Sequence, residues 1–164
     1  MKVYFSHGKE SGPWGTKIKR LAKIAEQKGC GIESIDYSGM MDPDLRVGRL
    51  LQVLTEDPGN IVLVGSSMGG YVSLVASEKV AVRAVFLMAP ALHMPGYESH
   101  QHHSLSPQIE IVHGWADDVI PTEHSIRYAK QACCTLHLIR GDHSLNSSLE
   151  MVAELFDQFL DRVM

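Results

Sequence analysis

The sequence has little cysteine, no long hydrophobic run and no block of like charges. Only three of its 164 residues are cysteine, Cys30, Cys133 and Cys134. An odd number with two adjacent makes a poor disulfide framework and a poor zinc pattern. The longest apolar runs have the length of a strand, which predicts no transmembrane span and no membrane partner. The net charge of −4 is not concentrated anywhere, so we expect no nucleic-acid partner.

The same absences favour a reduced, cytoplasmic protein. Residues 1–7 lack the hydrophobic region and the cleavage site of a signal peptide. Hydrophobic residues make up 45% of the chain, enough for an ordinary core. No linker, repeat or low-complexity tract interrupts it. We therefore expect one domain over residues 1–164, a size that buries roughly two-thirds of the surface of the unfolded chain.

Segments with the periodicity of strands and of helices alternate along the chain. Strands are predicted near residues 3–5, 31–37, 60–64, 82–88, 109–112 and 135–139. Helical spacing of apolar residues follows most of them. A longer irregular segment is expected over residues 89–107. This alternation predicts an α/β fold, with about six strands in a mainly parallel sheet and helices on both faces.

Several short polar residues and glycines predict where the helices begin and end. The expected N-termini lie at Asp42 with Pro43 behind it, at Thr122, and at a capping box formed by Ser147 and Glu150. The expected ends lie at Gly29, as a left-handed C′ residue, and at Asp57-Pro58-Gly59.

One stretch, residues 60–71, organises the rest. An apolar strand enters the pattern Gly65-x-Ser67-x-Gly69, and the turn feeds a helix. A serine on such a turn is the nucleophile elbow of serine hydrolases, and glycines leave room for the close backbone approach that the turn requires. The turn also directs the N–H of Met68 and the helix N-terminus toward whatever Ser67 attacks.

Two further residues of apt chemistry follow later strands. Asp117 comes after the fifth strand and His143 after the sixth, and the carboxyl ends of strands in a parallel sheet form one crevice. A serine hydroxyl is a weak nucleophile that needs a base such as imidazole, and an aspartate can orient that imidazole. The sequence therefore predicts a triad of Ser67, His143 and Asp117.

Neighbouring residues compete for these roles. Ser66 is the rival of Ser67, whereas Asp118 and Asp142 are the rivals of Asp117. Asp142 directly precedes His143 in the chain and is badly placed to accept a hydrogen bond from its ring. His7 and His113 stand beside glycines at strand ends, where we expect each imidazole to order its loop through a hydrogen bond.

The motifs together resemble the α/β-hydrolase superfamily, in particular its small esterase-like bacterial members. The segments that carry the resemblance are Ser6-His7-Gly8, Gly65-Ser66-Ser67-Met68-Gly69-Gly70, residues 113–121 and Gly141-Asp142-His143. The resemblance implies an oxyanion hole made by the backbone N–H groups of Met68 and Lys9. It also implies a minimal cap or none, because no large insertion separates the fourth and fifth strands.

Other residues near strand ends are candidates for binding. Trp14, Tyr37 and Trp115 could line an acyl pocket or pack at its rim. The four histidines of the irregular segment could bind a metal or simply form a solvated or substrate-lining loop, namely His93, His100, His102 and His103. Because they lack carboxylates or cysteines at ligand spacing except Glu98, we expect no metal site.

These observations predict a serine hydrolase that cleaves a small carboxylic ester or thioester through an acyl-enzyme intermediate, without a cofactor. Two alternatives stay open. The same fold could serve as a catalytically weak binding or interaction module, or the same triad could act as a cofactor-free perhydrolase. The sequence does not distinguish a monomer from a homodimer.

Overall fold

Strands and helices alternate along the part of the chain that the structure, a computed structural model, describes: residues 1–57 and 59–164. The strands are β1 (Lys2–Ser6), β2 (Gly31–Ile35), β3 (Ile61–Ser66), β4 (Ala84–Met88), β5 (Ile109–Gly114) and β6 (Thr135–Ile139). The α-helices are α1 (Thr16–Gln27), α2 (Pro43–Glu56), α3 (Met68–Ala76), α4 (Thr122–Ala132) and α5 (Leu149–Val163). The predicted α/β fold is confirmed.

The six strands form one sheet in the order β2-β1-β3-β4-β5-β6, and every neighbouring pair is parallel. The carboxyl ends of all strands therefore lie at one edge. The chain winds from β1 outward to β2 and then crosses back to β3, so the strand order reverses between β1 and β3. In open α/β sheets the ligand crevice lies at such a reversal.

Helices cover both faces of the sheet. Helices α1 and α5 pack on one face, and α2, α3 and α4 on the other. Successive strand residues alternate between the two cores: Val62 and Val64 face α1 and α5, whereas Leu63 faces the opposite side. Because both faces are buried, the central strands are apolar at nearly every position, as parallel sheets require.

Two predicted helix boundaries are confirmed by their hydrogen bonds and dihedral angles. The Asp42 carboxylate accepts from the N–H groups of Asp44 and Leu45 at 2.8 and 3.1 Å and so caps α2. Gly29 follows α1 with a φ of 77°, the left-handed conformation that glycine tolerates best. The predicted stop after α2 includes Pro58, which lies outside the described residues; α2 ends at Glu56.

Two other predicted N-termini are wrong. Thr122 is the first residue of α4 rather than its cap, a position that Pro121 occupies. The capping box of Ser147 and Glu150 does not form, because Asn146–Ser148 make a short 3-10 helix that places Ser148 at the cap of α5. The hydroxyl of Ser148 donates to the carbonyl of Arg140 instead. Tertiary contact with the preceding loop thus displaced the local capping pattern.

Between β4 and β5, residues 89–108 form neither helix nor strand, in agreement with the predicted irregular segment. Among the residues that the structure describes, no helix is both long and apolar enough to cross a membrane. The three cysteines are free thiols.

Candidate active site

Ser67 lies on the turn between β3 and α3 in a strained backbone conformation. Its φ of 54° and ψ of −121° fall in a region of backbone dihedral angles that residues other than glycine rarely adopt. The turn forms because glycines flank it. A Cβ on Gly65 would lie 2.2 Å from the carbonyl oxygen of Gly69, and one on Gly69 would lie 2.0 Å from that of Ser6. Any larger residue at either position would push the turn apart.

The structure brings Ser67, His143 and Asp117 into one hydrogen-bonded chain. His143 Nε2 lies 3.0 Å from Ser67 Oγ, and His143 Nδ1 lies 2.8 Å from Asp117 Oδ2. The carboxylate can only accept when ionised, so Nδ1 carries the proton and Nε2 is free to accept from the serine hydroxyl. The three residues follow β3, β6 and β5, whose carboxyl ends meet at this edge of the sheet.

Asp117 is held as a buried carboxylate. Its side chain is fully buried, and its Oδ1 accepts from the N–H groups of Val119 and Ile120 at 2.9 and 2.8 Å. Burial, the largest influence, acts to raise the pKa of Asp117, but the hydrogen bonds from Ile120, His143 and Val119 outweigh it and hold the pKa below its ordinary value. The group that faces His143 is therefore negatively charged at neutral pH.

The rival residues lie apart from this chain of hydrogen bonds. Asp118 is exposed. The Asp142 carboxylate, also exposed, accepts from the Ser144 hydroxyl at 2.6 Å and so orders its own loop. Ser66 ends β3, one residue before the strained position. Among the residues that the sequence offers for these roles, Asp117 and Ser67 are thus the ones that hydrogen-bond to His143 in the described part of the chain.

The residues of the two expected oxyanion donors, Met68 and Lys9, line the groove that contains Ser67. Met68 is the first residue of α3, and Lys9 lies in the loop after β1, the strand next to β3. Neither N–H has an acceptor among residues 1–57 and 59–164. The loop passes close to the serine, since a Cβ on Gly8 would lie 3.5 Å from the Cβ of Ser67. An oxyanion hole requires two free donors of this kind beside the nucleophile.

His7 orders this loop, as the sequence predicts. Its Nε2 accepts from the N–H of Tyr37 at 3.0 Å, which leaves Nδ1 protonated to donate to the carbonyl of Gly8 at 2.8 Å. Burial lowers the pKa of His7, which favours the neutral ring that this pattern needs.

A groove of about 640 Å³ opens at Ser67 and His143. Its apolar wall is built from the start of α3, the irregular segment and the loop after β5, namely Met68, Ala91, Met94, Pro95, Tyr97, Val119 and Ile120. Lys17 lines the opposite side, where its Nζ donates to the carbonyl of Ser144 at 2.5 Å. Burial lowers the pKa of Lys17, with the nearby carboxylates Asp142 and Asp117 opposing that shift.

The three aromatic residues proposed from the sequence do not line this groove. Tyr37 is fully buried; its hydroxyl lies 3.0 Å from the Ser6 hydroxyl, and burial raises its pKa to about 12. Strand β2 ends at Ile35, two residues earlier than predicted, and the chain then folds the Tyr37 ring under the end of β1. Trp14 and Trp115 are 42% and 61% exposed and stand outside the lining.

Two histidines of the irregular segment and one of α4 lie close together; His102 is buried, and His93 and His124 are half-buried. We call His93, His102 and His124 the histidine cluster: the His93 ring lies 6.0 Å from that of His102 and 5.8 Å from that of His124. His102 Nδ1 contacts Glu78 Oε1 at 2.9 Å. Among the described residues, no group of three or more histidine, cysteine or acidic side chains is arranged to hold a metal ion. His100 and His103 are exposed.

Sequence reasoning missed Arg46, which is 1% exposed and donates to the loop after β1. A signal was present. Arg46 stands four and eight residues before Leu50 and Leu54, so it falls on the buried stripe of α2 where an apolar residue is the rule. A charged residue at such a position indicates a specific buried partner.

The parallel sheet, the serine on a strand-to-helix turn and the hydrogen-bonded histidine and aspartate define the alpha/beta hydrolase class. Residues 1–131 match the group described as "Uncharacterised protein family (UPF0227)", and the chain belongs to this family. A comparison with curated proteins found no match.

Solved structures agree with this class and confirm the resemblance inferred from the motifs. A member of the alpha/beta hydrolase superfamily from Xanthomonas campestris pv. campestris is 32% identical, with a TM-score of 0.85 over 98% of both chains. Est1E from Butyrivibrio proteoclasticus is 18% identical, with a TM-score of 0.83 over 98% of this chain and 87% of its own. Alpha/beta hydrolase domain-containing protein 10 from mouse is 16% identical, with a TM-score of 0.80 over 99% and 90%. The two more distant proteins share the fold.

Proposed function

We propose that this protein is a serine hydrolase that cleaves a small carboxylic ester or thioester through an acyl-enzyme intermediate. The observation that carries the proposal is the chain of hydrogen bonds from Ser67 through His143 to the buried carboxylate of Asp117. Its position at the mouth of a groove, beside two N–H groups without acceptors, supports the same activity.

In the acylation step, Ser67 Oγ attacks the carbonyl carbon of the substrate. The hydroxyl proton passes to His143 Nε2, 3.0 Å away. The imidazolium that forms is stabilised by Asp117, which stays ionised. The C–O or C–S bond of the leaving group then breaks, and the leaving group takes the proton from His143.

Negative charge develops on the carbonyl oxygen during this step. The N–H groups of Lys9 and Met68 would stabilise it, with a further contribution from the N-terminus of α3. In deacylation, His143 takes a proton from water, which attacks the acyl-enzyme through the same charged intermediate. Ser67 regains its proton, and the carboxylic acid leaves.

The groove supports a small, uncharged acyl group. Its apolar wall includes Met94 and Tyr97 from the irregular segment and Val119 from the loop after β5. The segment between β4 and β5 contributes no helix that could close over a long chain. Each added methylene contributes about 1–3 kcal/mol to discrimination at best, so we expect a preference for short acyl esters without sharp selection among them.

A fluorophosphonate probe tests the proposal because it labels only an activated serine. Wild-type protein should gain the mass of one probe on the peptide that carries Ser67, and Ser67→Ala should remain unlabelled. Ser73→Ala is the matched control, since Ser73 lies on α3, fully buried and without a hydrogen-bond partner among the described residues. A folded wild-type protein that takes no label would instead favour a binding module.

A panel of substrates then defines the reaction. Nitrophenyl esters of graded acyl length and the matching acyl-CoA thioesters should be compared by kcat/KM. We expect turnover that falls as the acyl chain lengthens. A long-chain substrate hydrolysed a thousandfold faster than the acetate would contradict the open groove as the determinant of selectivity.

A further inference from the structure

Arg46 is a buried cation without a carboxylate partner. Its side chain is 1% exposed, and no acidic group lies within ion-pair distance among residues 1–57 and 59–164. Burying an unpaired charge is unfavourable unless hydrogen bonds replace the lost water. Arginine stays charged under these conditions and presents its donors in a rigid planar fork. The partners of that fork therefore decide what Arg46 does.

Every hydrogen-bond acceptor of the guanidinium is a backbone carbonyl, and most of them lie in one loop. The guanidinium also lies over the Tyr37 ring, with its central carbon 5.2 Å from the ring centroid. Nη1 donates to the carbonyls of His7 and Gly8 at 3.1 and 3.2 Å, and Nη2 donates to that of Lys9 at 3.2 Å. Nε donates to Met40 at 2.6 Å and anchors the fork to the turn before α2. Three successive peptide groups after β1 are thus fixed by one side chain.

The peptide geometry converts this anchoring into the direction of an N–H. In a planar trans peptide the carbonyl and the following N–H point to opposite sides. The carbonyl of Gly8 points to Arg46 and to His7 Nδ1, so the N–H of Lys9 points the other way. Gly8 and Lys9 both line the groove that contains Ser67. The Lys9 N–H is therefore directed toward the groove, whereas Arg46 is not among the residues that line it.

We propose that Arg46 is a positioning residue of the Ser67 site, which aims the Lys9 N–H at the oxyanion from behind the loop. The inference rests on the proposed function, since it needs an oxyanion to form at Ser67. It goes beyond that function because it assigns the orientation of one donor to a side chain on α2, remote from the triad. The fixed positive charge behind the loop also stabilises negative charge that develops in the groove.

The test compares Arg46→Met and Arg46→Lys with Arg83→Met. Methionine keeps the length of the side chain but no donor, and lysine keeps the charge but not the fork. Arg83, an exposed residue, is the control for loss of a guanidinium that donates to a backbone carbonyl: it donates to that of Val163 at 2.7 Å, just before β4 at the opposite edge of the sheet. If Arg46→Met does not fold, Arg46→Lys carries the comparison.

The first readout is kinetic. Loss of one oxyanion donor lowers kcat by about 10²–10³ in other enzymes, and we expect about 10² for Arg46→Met with KM changed by less than about threefold. The affinity for a trifluoromethyl ketone, which forms a charged tetrahedral adduct with the serine, should fall by a similar factor. The affinity for the product acid should not change. Arg83→Met should match the wild type in all three.

The second readout does not require activity. Amide hydrogen exchange at Tyr37, whose N–H donates to His7 Nε2 in this loop, should accelerate in Arg46→Met while exchange in β3 and β4 stays slow. Faster exchange throughout the chain, or equal losses of affinity for the ketone and the product acid, would mean a merely structural role and would overturn the proposal. Wild-type protein that takes no fluorophosphonate would refute the hydrolase proposal and the positioning role with it, whatever the exchange shows.

Discussion

His113 and Asp117 are joined by a hydrogen bond of 2.9 Å between Nε2 and Oδ2, the oxygen that also accepts from His143 at 2.8 Å. The other ring nitrogen of His113 lies 2.8 Å from the hydroxyl of Ser125. Burial lowers the pKa of His113 although Asp117 opposes the shift, so the ring is neutral and donates through Nε2. One carboxylate oxygen thus receives two imidazole donors.

Removing this donor should weaken both the fold and the site. We expect His113→Phe to lower the free energy of unfolding by about 1.5–3 kcal/mol, the usual contribution of a hydrogen bond to a charged group. His113→Gln should lose less, because its amide N–H can reach the same oxygen. Urea unfolding and kcat/KM measured side by side test this. Equal losses in the two variants would show that the hydrogen bond contributes little.

The two adjacent aspartates should differ strongly in their effect on turnover. Asp117→Asn should lower kcat by about 10⁴, because the amide cannot stabilise the imidazolium and favours the wrong tautomer of His143. Asp118→Asn should change kcat by less than about tenfold, since that side chain is exposed and contributes little to the transition state. Steady-state kinetics near neutral pH decide between them. A crippled Asp118 variant beside a mildly affected Asp117 variant would refute the assignment.

The strained backbone of Ser67 should appear in the stability of its variants. Both Ser67→Ala and Ser67→Gly remove the hydroxyl, but only glycine accepts a φ of 54° and ψ of −121° without steric cost. Positive-φ strain costs the alanine variant about 1–3 kcal/mol. Glycine avoids this strain, but its greater freedom in the unfolded chain offsets roughly 0.5–1 kcal/mol of the gain. We therefore expect the free energy of unfolding of the glycine variant to be about 1 kcal/mol higher than that of the alanine variant. Chemical denaturation would contradict this if alanine were the more stable.

His93, within the histidine cluster, should make the stability of the protein depend on pH. Burial, with Arg127, His102 and His124 nearby, lowers the pKa of His93 from 6.5 to about 4. Between these values the unfolded chain binds more protons than the folded one, so the free energy of unfolding rises with pH. This contribution is complete above about pH 6.5 and is lost as the pH falls toward 4.

The variant His93→Asn should flatten that dependence. Asparagine tolerates the positive φ of 55° found at this position and does not titrate. We expect the Tm of the wild type to fall more steeply than that of the variant between pH 7 and 5. His103→Asn, an exposed neighbour in the same segment, should keep the steep dependence. Identical slopes of Tm against pH for all three proteins would show that the titration of His93 is not the cause.

Local pattern was enough to predict the element order and the triad candidates. The apolar run over residues 60–64 predicted the buried strand that the structure has at Ile61–Ser66, and the parallel alternation places Asp117 and His143 at the same edge as Ser67. These features depend only on periodicity and on the rule that parallel strands end together. The choice between Asp117 and Asp118 needed the structure, because one residue in a loop decides which carboxylate is buried.

What the sequence did not predict depends on contacts between distant segments. Tyr37 was proposed for the pocket from its place at a strand end, but β2 ends early and the ring packs against His7. Arg46 contacts residues that are 37–39 positions away, and no local pattern identifies those partners. The capping box at Ser147 does not form because Asn146–Ser148 make a 3-10 helix, and Ser148, at the cap of α5, donates to the carbonyl of Arg140 eight positions earlier.

The wholly parallel sheet also has a consequence for the order of events during folding. No neighbouring strands can pair through a local hairpin, so every strand pairing must first close a long loop. The four segments that meet at Ser67 end β1, β3, β5 and β6, and β6 joins the sheet at its far edge. A refolding chain should therefore regain its secondary structure before its reactivity. The rate at which fluorophosphonate labelling recovers would therefore report the docking of the last strand on the sheet, rather than the initial collapse of the chain.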